Sequence, residues 1–197
     1  MSEILTIDTG HGIVKSENLD PLPLYDDRHP MLSEKIPEYN TGLLPNVSMT
    51  NLVKRMKMTM KQFAGIGLSA NQCGVFERVF VIGTEHFQFA CINPKVIALS
   101  EETQKDPEGC LSFPGLFLKI DRPKWVEAEF TNELGETIQM KFEGITARAY
   151  LHELDHMNGV KFVDYVGKVS LQMAKKKQKK LTDKIKKEFK VKNVLHV

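Results

Sequence analysis

The run His152-Glu153-Leu154-Asp155-His156 constrains this chain more than any other feature. It lies in a window of helical periodicity from Gly144 to Asn158, and Gly159 follows where a left-handed C-cap glycine belongs. Two histidines at i and i+4 stand one turn apart on one face, so both imidazoles can reach one cation. Glu153 follows the first histidine directly and can reach a water at that cation without ligating it, which suits a general base.

Two ligands need a third. Downstream, Phe162 stands where a metzincin-type pattern needs a histidine, and Glu188 lies in a lysine-rich tail. Upstream, Cys110 sits in Glu108-Gly109-Cys110-Leu111-Ser112, just ahead of Pro114-Gly115. Small residues there let backbone and substrate approach, and a cation would keep the thiol ionised. Taken alone, Cys110 reads more readily as a buried inert thiol; beside the H-E-x-x-H run the balance reverses. A third patch, Gly65-Ile66-Gly67-Leu68-Ser69-Ala70-Asn71-Gln72, ends in an amide donor and could be a site wall or only a turn.

Around these patches the chain reads as one α+β domain. At 197 residues it can bury a core without disulfide staples. Glycines and prolines punctuate residues 1–46, predicting loops and short extended pieces. Met49, Leu52, Val53, Met56, Met60 and Phe63 predict a helix over 49–63. Strands are predicted at 79–82, 89–93, 95–99, 125–130 and 137–142, with a hairpin loop at Asn132-Glu133-Leu134-Gly135. No apolar run approaches the ~18 residues of a membrane span. The start Met1-Ser2-Glu3-Ile4 does not read as a signal peptide, and three widely spaced cysteines suit a reducing compartment. From Ala174 to Val197 the chain carries ten lysines against Asp183 and Glu188, so the remainder is net acidic. Leu171, Ala174, Leu181, Ile185 and Phe189 give that tail a thin apolar stripe at helical spacing.

In order and in register, GIGLSANQ (65–72), EGCLS (108–112) and LHELDHMNG (151–159) resemble the peptide deformylase family, whose motifs read G-x-G-L-[AS]-A-x-Q, E-G-C-L-S and Q-H-E-x-D-H-L-x-G. The resemblance runs from about residue 22 to 170. Leu151 replaces the family glutamine and Met157 the usual leucine.

The resemblance implies antiparallel sheets wrapped around the helix that carries H-E-x-x-H. Residues 21–170 would be catalytic, 171–197 a basic helical tail, and 1–20 an extension without an assigned role. The implied activity is metal-dependent hydrolysis of the N-formyl group from the initiator methionine of nascent chains, in the cytoplasm or an equivalent compartment. Cys110, His152 and His156 would hold Fe(II), or Zn(II) or Ni(II) in its place, with a fourth position left for water. Glu153 would carry the proton, and Gln72 with the Leu111 N–H would face the oxyanion. The peptide would lie extended against Gly65 to Leu68 and the strand after Gly115, with Gly109 also at the substrate; Ile66, Ile145, the Arg148 stem and Ala149 would line the methionine pocket. Glu108 and Arg122 are expected to pair behind the metal. The implied partners are N-formylmethionyl peptides and, through the tail, the ribosome; no DNA or membrane partner is expected. Rival readings are a zinc peptidase, a structural-metal protein drawing on Cys73 and Cys91, and a basic-tailed RNA-binding module.

Overall fold

A computed structural model describes residues 19–84 and 86–194, with the side chains of the last helix described as far as Lys184. The predicted extension therefore lies almost wholly outside the described residues. After two short 3-10 turns, Pro30–Ser33 and Thr41–Leu43, comes helix α1 (Val47–Gln62). Asn46 caps it by accepting from the Met49 N–H at 2.8 Å. Met49, Val53, Met56 and Met60 form its buried face, as their spacing predicts, and the helix ends at Phe63 before Ala64 turns left-handed.

The strands follow: β1 (Gly67–Ser69), β2 (Val79–Gly83), β3 (Gln88–Leu99), β4 (Thr103–Gly109), β5 (Phe117–Pro123), β6 (Trp125–Thr131) and β7 (Thr137–Glu143). They build a five-stranded antiparallel sheet in the order β1-β2-β3-β6-β7 and a separate pair, β4-β5. Two differences from the sequence reading have physical causes. The segments at 89–93 and 95–99 are one strand, β3, with register shifts between Ile92 and Lys95 and between Val96 and Ala98. Asn93 takes a φ of 49° there and exchanges two hydrogen bonds with the Tyr39 backbone, at 2.7 and 2.8 Å. Pro94 thus sits in a bulge, where no ladder N–H is required, instead of ending the strand. Strand β4 went unread because Thr-Gln-Lys-Asp-Pro-Glu-Gly has no apolar alternation; it is anchored by charge, as described below.

Helix α2 (Gly144–Met157) is buried on nearly every face. One side packs Tyr150, Leu151, Ala147 and Met157 into the main core with Phe80, Phe130 and Phe142. The Tyr150 ring meets Phe80 edge-on at 5.2 Å and stacks on Phe142 at 5.4 Å, and its hydroxyl donates to the Lys95 carbonyl. The other side faces β4-β5. Gly159 closes the helix with φ 72°, and a Cβ there would lie 2.8 Å from the Ser33 carbonyl oxygen. That close approach lets the Met157 carbonyl accept from the Ile36 N–H.

Helix α3 (Lys168–Val194) leaves the body at this end. Leu171 and Ala174 pack on a small core of Phe113, Leu116, Leu118, Ile120 and Phe162, and Gln178 donates to the Pro114 carbonyl at 2.7 Å. Leu181, next on the predicted stripe, is exposed. The side chains of Ile185 and Phe189 lie outside the described residues.

Candidate metal centre

The second face of α2 carries His152, Glu153 and His156 inward, all at most 7% exposed. The loop after β4 brings Cys110 to meet them. Ligand atoms of Cys110, His152 and His156 lie within 4.8 Å of one another, with the Cys110 sulfur 3.2 Å from Nε2 of His156. Tetrahedral ligands about 2.0–2.3 Å from an ion stand about 3.3–3.8 Å apart, so this set needs little movement to close on one. Soft thiolate with two imidazoles suits Fe(II), Zn(II) or Ni(II). Among the described residues no other group of three such side chains converges.

The carboxylate of Glu108 orients this site from behind. Its Oε1 accepts from Nδ1 of His152 at 2.7 Å and from Nη2 of Arg122 at 2.7 Å. Its Oε2 accepts from Nε of Arg122 at 3.1 Å and Nη1 of Arg148 at 3.0 Å. With Nδ1 donating to Glu108, His152 keeps Nε2 bare for the cation. The expected Glu108–Arg122 pair is present and is bidentate. Arg122 also reaches Asp155 at 2.7 Å and lies over the Tyr165 ring, whose hydroxyl donates to the same aspartate.

Burial opposes the Glu108 charge, yet the hydrogen bonds from His152 and Arg122 outweigh it and hold the carboxyl down at about 2. Burial likewise disfavours a charged His152, but hydrogen bonds to Cys110 and Glu108 carry its pKa well above the ordinary value. The field that draws a proton to this imidazole also favours a dication. His156 is pushed well below its ordinary value, by burial first and then by the charge of His152, so it offers a neutral ligand. Glu153 rises to about 7, chiefly through burial, with the charge of His152 pulling the other way. Its Oε2 is buried without a protein partner. Gly67 makes room for it: a Cβ there would collide with the Glu153 carboxylate. Cys73 is a protonated thiol pushed up to about 12 by burial and by the charge of Glu153, and burial raises Cys91 too. Neither joins the cluster, which removes the sequence-level support for a closed, cysteine-rich structural site.

In front of the ligands opens a cleft of about 520 Å³. Ile66, Gly67, Gly109, Leu111, Gly115, Ile145, Arg148 and Ala149 line it, together with Cys110, His152 and Glu153. Leu68 does not. Its side chain is fully buried in the second core under α1, because alternation along β1 points it to the α1 face of the sheet. Arg148 contributes its stem, while its guanidinium is spent on Glu108 and the carbonyls of Ile120 and Gln104. Gln72 is buried beside Cys110: Nε2 donates to the Cys110 sulfur at 3.3 Å and to the Ser112 hydroxyl at 3.1 Å. Sequence reasoning missed the aromatic rim of Phe63, Phe113 and Phe117 and the role of Ser112. Phe117 had a legible signal, since it opens the strand after Gly115.

Comparison with known proteins agrees with this geometry. The family model described as polypeptide deformylase matches residues 21–172. The peptide deformylase of Thermotoga maritima is 36% identical over 130 residues, 66% of this chain and 79% of that protein. The structure of a Synechococcus elongatus peptide deformylase in complex with actinonin superposes with a TM-score of 0.75 at 30% identity, covering 90% of this chain and 94% of that one. A class I type b peptide deformylase from Acinetobacter baumannii, bound to Met-Ala-Ser, gives 0.71 at 25% identity, covering 75% and 99%.

Glu108→Gln tests the carboxylate. Arg122 and Arg148 would be left buried without their anion, a loss of about 3–5 kcal/mol, lowering the melting temperature by about 10 °C in a chain of this size. Because the folded carboxyl ionises at about 2, below its ordinary 4.5, its stabilisation is complete above pH 4.5 and fades as pH falls toward 2. Urea unfolding from pH 6 to 2 should therefore show a flatter acid limb in the variant. Superimposable acid limbs would show that Glu108 does not hold this cluster together.

Proposed function

The chain belongs to the polypeptide deformylase family, and on that footing we propose how its own residues divide the work of deformylation. The reaction removes the N-formyl group from the initiator methionine of nascent polypeptides and releases formate. Cys110, His152 and His156 hold the metal, with Fe(II) as the native ion and Zn(II) or Ni(II) as substitutes. When bound, the cation supplies Lewis acidity to the formyl carbonyl and to water.

The chain's residues do the rest. Glu153 takes a proton from the attacking water and returns it to the leaving amine of methionine. Its buried carboxylate, with one oxygen unpartnered, is a suitable carrier. The Leu111 N–H and Nε2 of Gln72 donate to the oxyanion, and Gln72 gives up its bond to Ser112 to do so. The peptide lies extended between Ile66-Gly67 on one side and Gly109 and Gly115 on the other, held by main-chain bonds that ignore side-chain identity. Ile66, Ile145, Ala149 and the Arg148 stem enclose the methionine, with Phe117 at the rim. The observation that carries this reading is the convergence of one thiol and two imidazoles beside a buried carboxylate, at the floor of a cleft wide enough for a peptide end.

The catalytic unit is residues 21–170, with 171–197 as a tail whose first turns dock on it. No described helix is long and apolar enough to cross a membrane. The substrate assigns the work to the compartment where formylated chains are made, the cytoplasm or an equivalent reducing compartment. Lys175, Lys176, Lys179 and Lys180 are exposed on α3 and would meet ribosomal RNA by salt-dependent attraction to phosphate.

Glu153→Gln should keep one metal per chain while formate release falls by about 10²–10⁴-fold; turnover near the wild-type rate would reject its role. Replacing Lys175, Lys176, Lys179 and Lys180 together by glutamine should weaken ribosome co-sedimentation and flatten its salt dependence, with activity on a short formyl-methionyl peptide unchanged. Equal co-sedimentation of both proteins would show that the tail is not the anchor.

A further inference from the structure

The cap of a short turn and the oxyanion donor are the same side chain. Ser69-Ala70-Asn71-Gln72 opens the 3-10 turn Ala70–Cys73, and Gln72 at its third position returns its carbonyl oxygen to the Ser69 N–H at 3.0 Å. This is the return half of an S-x-x-Q capping box. The Ser69 hydroxyl donates to the same oxygen, also at 3.0 Å. Both lone-pair directions of Oε1 are thereby filled from Ser69, and both hydrogens of Nε2 point to Cys110 and Ser112. Turning the amide over would set its NH2 against the Ser69 N–H, donor on donor. Ser69 is fully buried, and Gln72 and Ser112 are 1% exposed. Water therefore has no access to replace a lost bond.

We infer that Ser69 is a positioning residue: its hydroxyl holds the Gln72 amide with Nε2 facing the Cys110 sulfur and the reacting oxygen. This rests on Gln72 serving as oxyanion donor. The Ser69 N–H sets the sense of the amide, and the hydroxyl fixes its place along the turn. An amide held in advance loses no orientational freedom as charge develops on the substrate oxygen, so the benefit falls on the transition state and not on the bound peptide.

Ser69→Ala keeps the N–H and removes the hydroxyl. It should lower kcat about three- to tenfold, the worth of one hydrogen bond, with KM and metal per chain unchanged. In a Gln72→Ala background the same change should cost nothing further, because Ser69 acts through that amide. In the cobalt-loaded chain the sulfur-to-cobalt charge-transfer band should move to lower energy in Ser69→Ala, since a loosened amide donates less to the thiolate. Wild-type kcat in Ser69→Ala overturns the inference. So does an equal cost in both backgrounds, which would assign the hydroxyl to Glu153 or to the fold. Full activity of Gln72→Ala overturns the donor role of Gln72 itself and this inference with it. If Gln72→Ala does not fold, the cobalt band decides: a shift in Ser69→Ala supports the inference, and an unmoved band overturns it.

Discussion

A single buried carboxylate, Glu108, ties the separate pieces of this molecule to its metal centre. It accepts four hydrogen bonds, two on each oxygen, from His152, Arg122 and Arg148. A buried anion is costly unless every lone pair is met, and here each is. Those donors come from α2 and β5, while Glu108 itself stands on β4. One charge cluster thus fixes strand to strand, hairpin to helix, and a metal ligand to both. Asp155 shares the Arg122 guanidinium with Glu108 and lies one residue before His156, so the cluster reaches both histidines of the helix.

Helix α2 works because its two faces meet different demands. The side toward the five-stranded sheet is apolar and aromatic and locks the helix in rotation through Tyr150. The other side presents imidazoles and a carboxylate that would be unacceptable in such a core. Backbone closeness is what lets a peptide approach them. Gly67 lies against Glu153, where a Cβ would displace the carboxylate. Cys110 sits on a loop after β4, while His152, Glu153 and His156 sit on a helix, so most of the geometry is set by secondary structure and only the thiol depends on a turn.

Local patterns made α1, α2 with its closing Gly159, the strands β2, β6 and β7, and the paired histidines legible in the sequence. Each of those carries a period or a spacing, whereas Cys110 became a candidate only beside the histidines. What was not legible depends on long-range partners. Strand β4 has no apolar alternation and forms because Glu108 finds two arginines distant in sequence. Pro94 reads as a strand end, yet a bulge fixed by Asn93 and Tyr39 carries the strand through. Leu68 follows Gly67 in the motif but faces the core, since alternate residues of a strand point to opposite sides. Leu151, in place of the family glutamine, packs into the apolar core beneath the sheet. The capping contact between Ser69 and Gln72 was not read from the sequence, because its meaning depends on the neighbours of the amide.

The most direct test of deformylation at this site is formate release from a formyl-Met-Ala-Ser peptide, measured anaerobically against iron bound per chain. Release should rise in proportion to bound iron, level off at one ion per chain, and vanish in metal-free protein. Formate release without metal, or none at full occupancy, would contradict a thiolate–histidine metal centre that hydrolyses formylated peptides.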